Sequence, residues 1–140
     1  MDPATIGTLI VIITLITLGY IGYLAAYKGI FKQEWKTKVK SKLVELDNEI
    51  QSNDLLRMKT ALIDADKLLD HTLKNLGYKG ETLGERLKNS KPAFKYQDYD
   101  NIWKAHKTRN QLVHEIDFTM SQNDLKTHYQ SLRKGISVLI

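Results

Sequence analysis

The sequence predicts an all-α chain: a single N-terminal transmembrane helix followed by a bundle of four to five short helices. Three observations carry this. An uncharged, largely apolar run occupies residues 3–27. Beyond it, apolar side chains recur every three or four positions, the period of a helix with one buried face. Helix starts and stops punctuate that pattern at short intervals, and only two prolines occur in 140 residues.

The first run contains Leu9-Ile10-Val11-Ile12-Ile13 and ends at Tyr27. At a rise of about 1.5 Å per residue, some 20 residues cross the hydrocarbon core, so it spans with some tilt. Tyr20, Tyr23 and Tyr27 suit an interfacial belt. The run is too long for a signal-peptide core and lacks a basic leader. Residues 1–30 therefore read as an uncleaved signal anchor. A peptide cleaved near Ala25-Ala26 and a buried core helix are the alternatives.

Lys28, Lys32, Lys36, Lys38, Lys40 and Lys42 follow the run, against only Asp2 before it. The positive-inside rule then puts the N-terminus outside and the C-terminal domain in the cytoplasm. These lysines suit an anionic membrane surface, at about 1 kcal/mol each. A solvated charge run that only sets topology is the plainer reading, and either one leaves the chain on a lipid bilayer. Of 21 basic and 16 acidic residues, 15 and 14 lie after Lys42. The body is nearly neutral, so overall basicity is no argument for nucleic-acid binding. The absence of cysteine excludes disulfides, thiolate metal sites and cysteine nucleophiles. No glycine-rich phosphate loop or nucleophile elbow is present.

Trp35, Val39, Leu43, Leu46 and Ile50 give residues 31–52 the pattern of a basic, amphipathic juxtamembrane helix, which continues the first helix or bends near Gly29. Ser52-Asn53-Asp54 breaks it and caps the next, and residues 53–140 read as the folded domain. The second helix, 54–76, carries Leu55, Met58, Leu62, Ala65, Leu69 and Leu76 on its inner stripe, and Gly77 stops it. Thr82-Leu83-Gly84-Glu85 is a capping box opening a short helix to about residue 89, which Pro92 prevents from continuing. Asp98 is the expected N-cap of a central helix over 99–116. Ser121 opens the last helix, with Leu125, Tyr129, Leu132, Ile136 and Leu139 inward.

The central helix holds a conflict. At about 100° per residue, Tyr99, Ile102, Trp103 and Val113 lie within about 60° of His106. His106 and Asn110 thus fall inside an apolar stripe, with Arg109 and His114 on either side of it. Buried polar groups cost free energy unless they are paired or used.

Arg109-Asn110-Gln111-Leu112-Val113-His114 resembles the R-x4–6-H signature of the HEPN superfamily, set on the penultimate helix of a small bundle. The stretches 65–70, 77–81, 84–88 and 103–107 resemble a membrane-anchored bacterial branch of HEPN-like proteins. The likeness covers residues 53–140. It implies a HEPN-like bundle, a homodimer that brings two central helices together and, in many members, a metal-independent endoribonuclease acting on RNA. On that reading His114 is acid or base, Arg109 grips the phosphate and Asn110 orients an imidazole, with His106 and Lys107 as auxiliaries. Arg109 and His114 stand about 140° apart around the helix, so one monomer holds them poorly on a single phosphate, and a two-fold dimer could make the composite site.

The alternative is a non-catalytic membrane-anchored helical adaptor or partner-binding module, as in a defence or toxin–antitoxin complex with a protein partner or antitoxin. There, His106 and Asn110 bond within the bundle and Arg109 pairs with Asp66, Asp70 or Glu85. No cofactor is implied. No metal site is expected either, since no His-x3-His pair or tight His/carboxylate cluster is present. His71 and His128 adjoin apolar stripes without ligand-spaced companions.

Overall fold

A computed structural model describes residues 2–140, apart from the side chains of residues 30–33. The headgroup contact expected of Lys32 lies outside the described residues. The fold is all-helical: α1 (Pro3–Ile50), α2 (Leu55–Asn75), α3 (Leu83–Ser90), a 3-10 turn (Lys91–Ala93), α4 (Tyr96–His114) and α5 (Gln122–Leu139). No strand occurs among the described residues. The chain divides into two compact units, residues 1–37 and 38–140.

In the first unit, α1 is long and apolar enough to cross a membrane. The large apolar side chains of residues 6–27 are exposed, with Ile10 at 59% and Ile16 at 65%. The hydroxyls of Thr8, Thr14 and Thr17 donate to the carbonyls of Thr5, Ile10 and Thr14 at 2.8–2.9 Å. Turned back on the helix, they do not interrupt its apolar surface.

In the second unit, Val39, Leu43, Leu46 and Ile50 of α1 are buried at alternating four- and three-residue spacing. The Asp54 carboxylate caps α2, accepting from the Leu56 and Arg57 N–H groups. The helix buries Met58, Leu62, Ala65, Leu69 and Leu73. Gly77, at φ +86°, turns the chain out of it. Thr82 caps α3 as expected. Its reciprocal bond comes one residue early, because Glu85 accepts from the Glu81 N–H at 2.6 Å. Ser121 caps α5, accepting from the Asp124 N–H at 3.1 Å. Leu125, Tyr129, Leu132 and Ile136 are fully buried on its inner face.

Tyr129 carries the one polar atom at the centre of that face. Its hydroxyl donates to Asp47 at 2.8 Å, and Arg133 grips the same carboxylate at 2.6 and 2.9 Å. The Arg133 hydrogen bond holds the Asp47 carboxyl below the ordinary range, and burial pushes the Tyr129 hydroxyl up.

Two sequence expectations need correction. The central helix starts at Tyr96, with Lys95 as its cap residue, and ends at His114. Asp98 lies inside the first turn and pairs with Lys134 of α5 at 2.6 Å, so a distant cation takes the carboxylate expected to cap the helix. Leu55 and Val113, expected inward, are 40% and 46% exposed. Leu55 precedes the first buried position of α2, Met58, and Val113 lies two turns beyond Ala105, the last buried residue of α4.

Candidate functional site

α4 is fixed against α5 by Ile102 and Ala105, its buried residues. A Cβ on Gly135 of α5 would stand 2.6 Å from Ile102 Cδ1 and 3.1 Å from its Cγ1, so a side chain there would displace Ile102 in the seam between the two helices. Seating this seam turns His106, Arg109 and Asn110 toward α2.

Asp66 of α2 meets them. Its side chain is 5% exposed, while those of His106 and Arg109 are 13% and 19% exposed. His106 Nδ1 lies 2.9 Å from Asp66 Oδ1. A carboxylate only accepts, so this nitrogen carries the proton and donates. In the neutral ring Nε2 is then an acceptor, and Asn110 Nδ2 donates to it at 3.4 Å. The Asn110 carbonyl oxygen accepts from Arg109 Nη1 at 3.0 Å. Arg109 Nε stands 3.4 Å from Asp66 Oδ2. That last contact is an ion pair without a well-directed hydrogen bond, and Nε is buried with no hydrogen-bond partner. Asp66, His106, Asn110 and Arg109 thus close a ring.

A second buried cation stands beside the ring. Arg86 of α3 clamps Asp70 at 2.7 and 3.1 Å and donates to the carbonyls of Gly80 and Glu81. Gly80 permits this, since its φ is +143° and a Cβ would lie 2.7 Å from that of Glu85. The Asp70 hydrogen bond raises the Arg86 pKa further, so its charge is permanent.

Between ring and clamp runs an open groove of about 510 Å³. Three acidic residues (Asp66, Asp70, Glu81) and three permanent cations (Lys67, Arg86, Arg109) line it. The charges balance, so the groove is not by itself an anion trap. The remaining guanidinium nitrogen, Arg109 Nη2, has no partner among the described residues and is the part of Arg109 left for a ligand.

The structure therefore brings together three of the five candidates on the central helix, Arg109, Asn110 and His106. It does not add His114 or Lys107 to the groove. His114 is the exposed last residue of α4, without a side-chain partner among the described residues, and Lys107 is exposed on the helix surface. About 140° of helix separates His114 from Arg109. Of the lysines near the anchor, Lys28, Lys38 and Lys40 are exposed and Lys36 and Lys42 are half-buried. Lys36 lies 5.8 Å from the Trp35 ring and Lys42 pairs with Glu45 at 2.7 Å.

Asp66 is the site residue that sequence reasoning named only as a possible partner of Arg109. Its signal was present: it stands four residues after Leu62 and three before Leu69, a carboxylate inside a buried stripe. Of the other partners considered, Asp70 is taken by Arg86 and Glu85 by the Glu81 N–H. Among the described residues, no group of three or more His, Asp or Glu side chains could hold a metal ion. Comparison with protein-family models, curated proteins and solved structures gives no match to this chain.

Proposed function

We propose that this chain is a membrane-tethered, HEPN-like protein whose central helix cleaves RNA without a metal, through a site composed in a homodimer. The observation that carries the reading is a division of labour on α4. Arg109 and Asn110 are locked to each other and to a buried carboxylate, while His114 on the same helix is exposed and has no side-chain partner among the described residues. One set is held for binding and the other group is free for proton transfer.

The chemistry is intramolecular attack. The RNA 2′-hydroxyl loses its proton, its oxygen bonds to phosphorus, and the 5′ oxygen leaves with a proton. The products are a 2′,3′-cyclic phosphate and a 5′-hydroxyl. His114, an imidazole that can both accept and donate a proton, serves as the proton carrier. A dimer supplies two such histidines, one to accept and one to donate. Arg109, through Nη2, stabilises charge developing on the phosphate oxygens. Exposed Val113 and Ile116 flank His114 and give that end of α4 an apolar surface on which a second copy can seat. The apolar part of α1 serves as a single-pass anchor, and the lysines after it direct the second unit to the cytoplasm.

The test is cleavage of labelled RNA in EDTA by the full chain in detergent, beside His114→Ala. Cyclic-phosphate ends that vanish in the variant support the proposal. A folded, dimeric wild type that leaves RNA intact overturns it. One observation favours the adaptor reading instead: Asp66 already compensates the Arg109 charge, and the groove is neutral. On that reading Arg109 and His114 substitutions change assembly with a protein partner, and there is no cleavage to lose.

A further inference from the structure

Three rings of α4 that the cleavage chemistry does not use line up along the helix with groups that it does. Taking Trp103 as zero at 100° per residue, Tyr96, Tyr99, Lys107, Asn110 and His114 all lie within about 40° of it. Three rings, a cation, an amide and the free imidazole thus form one line along the helix, about 27 Å from end to end at 1.5 Å per residue. Tyr96 is 79% exposed, and Tyr99 and Trp103 are half-buried at the surface. The Tyr99 and Trp103 rings are 6.3 Å apart at 79° to each other, and Trp103 is 5.9 Å from His106. The two inner rings meet edge to face, so each leaves only its outer, half-buried surface to a base, and Tyr96 is the freely exposed platform.

Cations flank the row. Lys91 Nζ lies 5.9 Å from the Tyr99 ring centre. Among the described residues, Lys91, Lys95 and Lys107 have no carboxylate partner, whereas the neighbouring Asp98 and Asp100 are neutralised by Lys134 and Lys104. The body is neutral overall, but this face is not.

We infer that the Tyr96–Tyr99–Trp103 face of α4 is a stacking track for single-stranded RNA, which leads the strand along Lys107 to Asn110 and His114. Rings stack on any base, and lysines follow the backbone, so the track selects unpaired strand over duplex rather than one sequence over another. For its chemistry the inference rests on the RNA-cleaving reading of α4. The binding it describes can be measured without cleavage.

The chain has two tryptophans, so a Trp35→Phe background leaves Trp103 as the sole reporter. The full chain in detergent is titrated with a 2′-O-methyl single strand, which lacks the attacking hydroxyl and cannot be cut by this route. Saturable quenching of Trp103 is expected, with about tenfold weaker binding for Tyr96→Ala. A duplex of the same sequence should bind much more weakly. Unchanged emission from folded protein, equal binding of duplex, or no effect of Tyr96→Ala overturns the track. So does a Trp103 change that follows protein concentration alone, which marks the face as a seam between copies. Tyr96-dependent binding without cleavage of unmodified RNA removes the ribonuclease reading and keeps the track. Cleavage with Tyr96→Ala unaltered does the reverse.

Discussion

Removing the Asp66 carboxylate tests the ring at its buried corner. In Asp66→Ala, His106 Nδ1 loses an acceptor at 2.9 Å and Arg109 loses the carboxylate 3.4 Å from its buried Nε. Truncating one partner of a buried charge pair costs about 3–5 kcal/mol, because the other charge stays buried and uncompensated. Asp66→Asn leaves the same Arg109 charge uncompensated but keeps a side-chain carbonyl for His106, so it should be destabilised less than Asp66→Ala. Domains of this size have about 5–15 kcal/mol in total, so the alanine variant should be marginal and the asparagine variant folded. For a unit of about 100 residues, 1 kcal/mol moves Tm by roughly 4–8 °C. Asp66→Ala should therefore lower Tm by about 12 °C or more, and Asp66→Asn by less. The assay is thermal unfolding of the full chain in detergent, followed by Trp103 emission in the Trp35→Phe background, because Trp103 stands 5.9 Å from His106. A detergent-stabilised apolar helix does not contribute to that signal. If Asp66→Ala melts within about 4 °C of the wild type, a loss of under 1 kcal/mol, the buried ring is refuted.

Other contacts give further tests by the same melts. Gly135→Ala puts a Cβ 2.6 Å from Ile102 Cδ1 in a fully buried seam, so it should cost about 1–3 kcal/mol by overpacking, and Ile102→Val should restore part of the loss. Arg86→Lys keeps the charge but loses the two-pronged grip on Asp70, and should lower Tm while Lys88→Arg, on the exposed side of the same helix, should not. Asp47 makes stability depend on acid. Its folded pKa is lowered, chiefly by Arg133, so its contribution is present above the unfolded value and is lost as pH falls through the folded one. Wild type should therefore melt above Asp47→Asn at pH 7, and the difference should shrink below about pH 4.

What the sequence made legible was local. Asp54, Thr82 and Ser121 cap helices through bonds to N–H groups two or three residues away, so residue type and position suffice to find them. Asp98 has the same chemistry but answers to Lys134, 36 residues on, and no local rule ranks that partner above a cap. α1 shows the same limit. The spacing of Val39, Leu43, Leu46 and Ile50 announced a buried face, but the clamp of Tyr129 and Arg133 on Asp47 joins residues more than 80 positions apart.

The site divides along the same line. Polar side chains inside the α4 stripe were readable as a conflict, but the resolution, Asp66, is 40 residues away on another helix. Its arrival changes the roles of the two histidines. With Nδ1 donating to Asp66 and Nε2 accepting from Asn110, both nitrogens of His106 are occupied, so proton transfer through it requires the ring to break. His106 is then a positioning residue that orients Asn110, and through it Arg109. His114, bound to nothing among the described residues, is the imidazole able to exchange a proton with an outside group. A His106→Gln variant should accordingly disturb Trp103 emission and Tm even if RNA is never cut. In His114→Ala both should stay unchanged, and on the ribonuclease proposal only cleavage should be lost.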